Sequence, residues 1–192
     1  HRAARDLHGA ELAGFFDWVK YRSHLSRGVV VGTMLQDEAF QFIRLGTFLE
    51  RGDNTARMLD VKFDELAPQT APANDYYEWG ALLRSVSAFE IYRKVFRDVI
   101  APSRVAELLI LRKEMPRSLA ACMAEVVDIL HRVGNHRSAE TERRAGALYA
   151  SLQFGRIEDI LEQGLHEFLT DFLERTADVG SRISADFLIS GG

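Results

Sequence analysis

The run Phe48-Leu-Glu-Arg-Gly-Asp-Asn-Thr-Ala-Arg-Met-Leu-Asp-Val-Lys-Phe63 decides the fold class. Wound as an α-helix, it places Leu49, Ala56, Leu59 and Phe63 on one face. Glu50, Asp53, Arg57 and Asp60 form a charged stripe beside that face. At helical pitch these four lie within an arc of about 80°. A stripe of alternating sign bordering an apolar face has two uses in a helical bundle. It can fix helix register through interhelical ion pairs, or it can line a polar site.

Outward from this run, helical periodicity continues in both directions. The parent helix starts at Asp37, an N-cap followed by Glu38, and extends over 37–66. Before it, Phe15, Trp18, Leu25 and Val29 recur at helical spacing and predict a helix over 5–33. Gly28 and Gly32, four apart on that helix, suit close helix packing. After it, Pro68 and Pro72 mark a linker at Ala67–Asn74. Trp79, Leu82, Leu83, Val86 and Phe89 predict a helix over 76–97, and Ser103 opens a short one carrying Val105, Leu108, Leu109 and Leu111. Pro116 suits the first turn of a helix over 117–134, stopped by Gly134-Asn135. Two further helices are expected over 138–154 and 157–188. The last carries the strongest apolar stripe: Leu161, Leu165, Phe168, Phe172, Val179 and Ile183. No segment alternates with period two for long. The expectation is therefore an all-α domain over 1–192, a bundle of long antiparallel helices with short loops.

Composition narrows the function. A chain of 192 residues that is 47% hydrophobic can bury a substantial core. Its net charge of −4, with acids interleaved among the arginines, gives no basic footprint for nucleic acid. The longest apolar run, around Val29–Val31, is far too short to span a bilayer. Cys122 is the only cysteine, which excludes an intrachain disulfide and fits a reducing, cytoplasmic setting.

The search for catalytic motifs is mostly negative. No Gly-rich phosphate loop and no G-x-S-x-G elbow occurs in the chain, so no ATP site of its own and no cofactor is expected. Asp128 with His131 and Glu162 with His166 are loose analogues of dimetal ligand pairs. Neither has the repeat such a site requires, and no metal is expected. Cys122 lies on an apolar stripe and reads as a buried, inert thiol. What survives is charge on core-facing sides: Arg22 between Trp18 and Leu25, the stripe of Glu50, Asp53 and Arg57, and Glu90 with Arg93. An inward Arg22 would need a partner, and Glu50 or Asp53 is the expected one. Adjacent Glu50 and Arg51 point about 100° apart, so Arg51 must look elsewhere.

The stretches Arg22-Ser-His-Leu25, Thr33-Met34, Asp37-Glu38, Phe42-Ile-Arg-Leu-Gly46, Leu49-Glu-Arg51 and Leu59-Asp-Val-Lys62 resemble the bacterial alpha-E family, a helical domain of unknown function named for its Glu-Arg motif. Leu82-Leu-Arg-Ser85, Pro116-Arg-Ser118 and Gly164-Leu-His-Glu-Phe168 continue the resemblance in order along the whole chain. Thr47 and Gly52 depart from it, standing where Arg and Ala are expected. The family carries an earlier half with its own Glu-Arg helix, so this chain is expected to be a fragment or a truncated member.

Family members are commonly encoded beside a circularly permuted ATP-grasp ligase and a transglutaminase-like protease. The resemblance thus implies an accessory role in making or trimming a peptide product. Two readings stay open. One is a non-catalytic module that binds the ligase or its peptide substrate. The other is an enzyme or small-molecule binder using Arg22, Glu50, Arg51, Asp53, Arg57, Glu90 and Arg93. Reaction, substrate and oligomeric state are not legible in the residues.

Overall fold

A computed structural model describes residues 9–65 and 72–188. Every regular element among the described residues is helical, as the periodicity requires. The chain divides into two compact units, residues 1–40 and 41–192.

The first unit holds α1, Gly9–Thr33. Apolar residues are spread around this helix rather than gathered on one face, and Phe15, Phe16, Trp18, Tyr21, Leu25 and Val29 are all exposed. Phe15 stacks on Trp18 with centroids 6.4 Å apart, and the Arg22 guanidinium stands 5.5 Å from the Trp18 ring. A Cβ at Gly28 or Gly32 would meet nothing within 4 Å, so neither glycine is a close-packing point. Asp37 caps the next helix as expected, its carboxylate accepting from the Phe40 N–H at 3.1 Å.

That helix, α2, runs Glu38–Glu65. Beyond residue 40 it belongs to the second unit, where its apolar face is buried at Leu45, Ala56 and Leu59. Two long partners receive it: α6, Leu119–Val133, and α9, Leu165–Ile183. Contacts run in opposite order along each. Arg44 meets Glu125 of α6 and Arg51 reaches Pro116 just before it, while Phe42 packs on Phe187 just past α9 and Asp60 bonds His166 near the start of α9. The α2 helix is therefore antiparallel to both. Its close approach falls at buried Gly52, where an added Cβ would lie 3.5 Å from Cys122 Cβ and 3.6 Å from Phe172 Cζ. Helix α7, Ala139–Gln153, packs along α6 and α9 and completes the bundle.

Ser118 caps α6, accepting from the Ala121 N–H at 3.0 Å, and is itself wholly buried. Arg144 joins α7 to Asp178 of α9 at 2.9 Å. Thr141 donates to Asp186 in the short π-helical turn Ser184–Leu188 that ends the described chain.

The shorter helices close one end: α3, Pro72–Ser85; α4, Phe89–Phe96; α5, Pro102–Ile110; and α8, Ile157–Gln163. Two breaks replace helices that periodicity made continuous. The expected helix over 76–97 stops at Ser87, a residue in the left-handed region at φ 58°. There the Ala88 N–H donates to Leu83 O and the Ser87 N–H to Arg84 O, which is a Schellman ending. The expected helix over 157–188 is cut at Gly164, whose φ of +112° suits glycine alone. The Ala67–Asn74 linker lies largely outside the described residues, and α3 already begins at Pro72.

Candidate binding groove

The charges singled out in the sequence do not converge inside the bundle. Among the described residues the buried polar side chains are Thr55, Ser118, Ser138, Thr141 and Thr176, and none is charged. Asp53 is taken by Arg57 on its own helix, through bonds of 2.8 and 3.1 Å. The hydrogen bond to Asp53 raises the Arg57 pKa, its charge adding to the effect. Glu50, Glu90 and Arg93 are exposed. Arg22, in the first unit, is exposed on α1 where an inward position was expected. Arg51 is instead the half-buried arginine: it lies over the Phe48 ring at 5.1 Å and donates to Pro116 O at 3.4 Å. The physical reason is angular. A stripe that borders the apolar face stays at the edge of the interface, where solvent or a neighbour on the same helix satisfies it at lower cost than burial.

The loose metal-ligand pairs also dissolve. Asp128 binds Arg132 at 2.6 Å, and His166 meets Asp60, 106 positions away in sequence, rather than Glu162. Among the described residues no group of three His, Cys, Asp or Glu side chains comes together. Burial pushes the Cys122 thiol up to about 11, against the opposing pull of the Arg51 and Arg117 charges, which makes it a packing residue.

What the second unit does offer is a groove between α2 and α3. Its volume is about 650 Å³, and Met58 and Val61 on α2 face Tyr77, Ala81 and Leu82 on α3 across it. Spacings of three and four residues on each helix put these side chains on facing ridges. The helices are pinned together beside the groove by the Lys62–Glu78 ion pair at 2.6 Å and by an edge-to-face contact of Phe63 with Trp79 at 5.7 Å. Val61 and Tyr77, 59% and 73% exposed, leave apolar surface open to a ligand.

Arg57, Lys62 and Glu78 supply a charged rim, and each already has an ion-pair partner. Ser85 donates to Leu82 O at 2.7 Å, so its hydroxyl is engaged in its own helix. No histidine, cysteine or unpaired acid lines the groove among the described residues. Chemically it is suited to receiving apolar side chains and not to moving protons.

The sequence reading missed this groove because Val61 and Tyr77 fall off the apolar face. The available signal was the adjacent aromatic pair Tyr76-Tyr77 on an otherwise polar helix start. No helix of the described residues is long and apolar enough to cross a membrane.

Fold and site together define an all-α helical-bundle protein with an open apolar groove. A family model described as a predicted alpha-helical domain with a conserved ER motif matches residues 1–188, and the chain belongs to that family, Alpha-E. Comparisons with curated proteins and with solved structures each give no match.

Proposed function

We propose that this domain is a non-catalytic accessory module of peptide-bond-forming chemistry, acting in the cytoplasm. It docks apolar residues of a peptide segment, belonging to an ATP-grasp ligase or to that ligase's peptide substrate, in the α2–α3 groove. One observation carries the reading: the α2–α3 groove presents an apolar concavity of about 650 Å³ in which the one acid among the described lining residues, Glu78, is paired with Lys62 and the Ser85 hydroxyl is bonded to Leu82 O. Helical grooves of this kind receive peptides through aliphatic and aromatic anchors. The enzymatic reading centred on Glu50 has less support, because Glu50 is exposed and the charges around it are dispersed or paired along the helix.

The test is copurification with an ATP-grasp ligase of the kind the family resemblance implies as its companion, comparing the native chain with Val61→Asp and Ala81→Trp. The first places a charge in the groove and the second fills it. Both positions are exposed, so the helical circular dichroism should be unchanged. The expected result is a complex weakened by about tenfold or more in both variants. Stoichiometric binding of ATP to the isolated chain by calorimetry, or equal capture of native chain and variants, would contradict the proposal.

A further inference from the structure

Helix α4 and the residues around it carry a surplus of positive charge in a chain that is acidic as a whole. Arg84, Arg93, Lys94 and Arg97 are all exposed, and none makes an ion pair among the described residues. The neighbouring acids are mostly consumed. Asp98 accepts from Arg104 at 2.7 Å, and Glu107 from Arg112 at 2.9 Å. Only Glu90 stays unpaired, which leaves a local surplus of three positive charges on a protein of net charge −4. Arg93 and Arg97, one helical turn apart, line an open concavity of about 400 Å³ together with Asp98.

The support beneath these cations is rigid. The buried Tyr92 hydroxyl donates to Val99 O at 3.0 Å and accepts the Ala101 N–H at 3.0 Å, clamping the turn that leaves α4. Asp98 also accepts the Val99 N–H at 2.7 Å. In this clamped turn Arg97 occupies the left-handed region, at φ 53° and ψ 29°. That is the helix-ending position where glycine is favoured and a residue bearing a Cβ is strained. The fold would be served better by glycine there, so an arginine points to a use for its side chain.

We infer that the Arg93–Arg97 surface of α4 is a docking site for an acidic peptide segment, separate from the α2–α3 groove. Guanidinium forks one turn apart suit successive carboxylates, and each can bind one at two points. Apolar surface adjoins the cations: Val95 and Val99 are exposed, Val99 by 70%. A peptide mixing acids with aliphatic residues therefore fits better than a nucleic acid. The nearby aromatic rings are not open for base stacking. Phe89 lies under Arg84 at 4.0 Å, and Phe96 lies near both Arg104 and Arg112 at 5.8 and 5.9 Å.

The test is fluorescence anisotropy of a short labelled peptide of alternating Glu and Leu, with the matching Lys–Leu peptide and a single-stranded RNA as competitors. The native chain should bind the acidic peptide in preference to both, and the affinity should fall as ionic strength rises through about 0.15 M. Arg93→Gln and Arg97→Gly should each weaken binding by about tenfold. Arg97→Gly should at the same time raise the urea midpoint, a combination that a merely structural role for Arg97 would not give. Val61→Asp in the groove should bind the acidic peptide as the native chain does. Absence of binding, unchanged affinity in Arg97→Gly, tighter binding of RNA, or equal loss in Val61→Asp would overturn the inference.

Discussion

Glu50 and Arg51, neighbours on α2, divide their work by the 100° between adjacent helical positions. Glu50 is exposed, whereas Arg51 is half-buried, 5.1 Å from the Phe48 ring centroid and bonded to the loop that leads into α6. The aliphatic stem and planar head of an arginine make it a packing residue as much as a charge. Arg51→Met should therefore lower stability by about 1 kcal/mol through the lost bond and ring contact. Arg22→Met, on an exposed stretch of α1, should change it by less than about 0.5 kcal/mol. Denaturant midpoints of the two variants decide this, and equal midpoints would remove Arg51 from its anchoring role.

At the scale of the helix, two glycines in the second unit have opposite meanings. Gly52 has ordinary helical geometry, and a methyl group there would meet Cys122 and Phe172 at normal contact distance. Glycine in a helix interior gives up backbone entropy that alanine would not. Gly52→Ala is expected to stabilise the protein by about 0.5–1 kcal/mol, read as a raised urea midpoint with unchanged slope. Gly164 stands between α8 and α9 at φ +112°, where any side chain is strained. Gly164→Ala should cost more than about 1 kcal/mol, and a neutral result would mean that the α8–α9 corner can relax.

For the whole molecule, the ion pairs that tie α7 internally and to α9 set how it answers acid. Hydrogen bonds from Arg143 and then Arg144 hold the Glu140 carboxyl down to about 2. Asp178 feels desolvation first, which raises its pKa, but bonds from Arg144 and Arg182 outweigh this and lower it. Both carboxyls are thus more acidic folded than unfolded. Their contribution is fully present above about pH 4.5, the ordinary carboxylate range, and fades as pH falls towards 2. Glu140 is open to solvent, so the effect is screened and modest in size. Urea titrations between pH 6 and about pH 2.5 should show the native chain losing midpoint more steeply than Glu140→Gln. Coincident acid limbs for the two would show that this network does not contribute.

Much of this architecture follows from local chemistry. The 3.6-residue period that buries Leu45, Ala56 and Leu59 is written in α2 itself, as is the Asp37 cap that starts the helix. Both depend only on residues within a turn or two of each other, so sequence alone determines them. The left-handed ending at Ser87 is less visible, because serine carries none of the signal that glycine gives at such a position, and Gly164 is hidden inside a strong apolar stripe. The meeting of Asp60 with His166 joins residues 106 positions apart, and no local pattern could announce it. The groove is of the same kind. Met58 and Val61 line a groove only because Phe63–Trp79 and Lys62–Glu78 hold α3 at that distance from α2. Period and capping are properties of one helix, whereas a groove is the space between two, and its shape exists only once tertiary packing has set their separation.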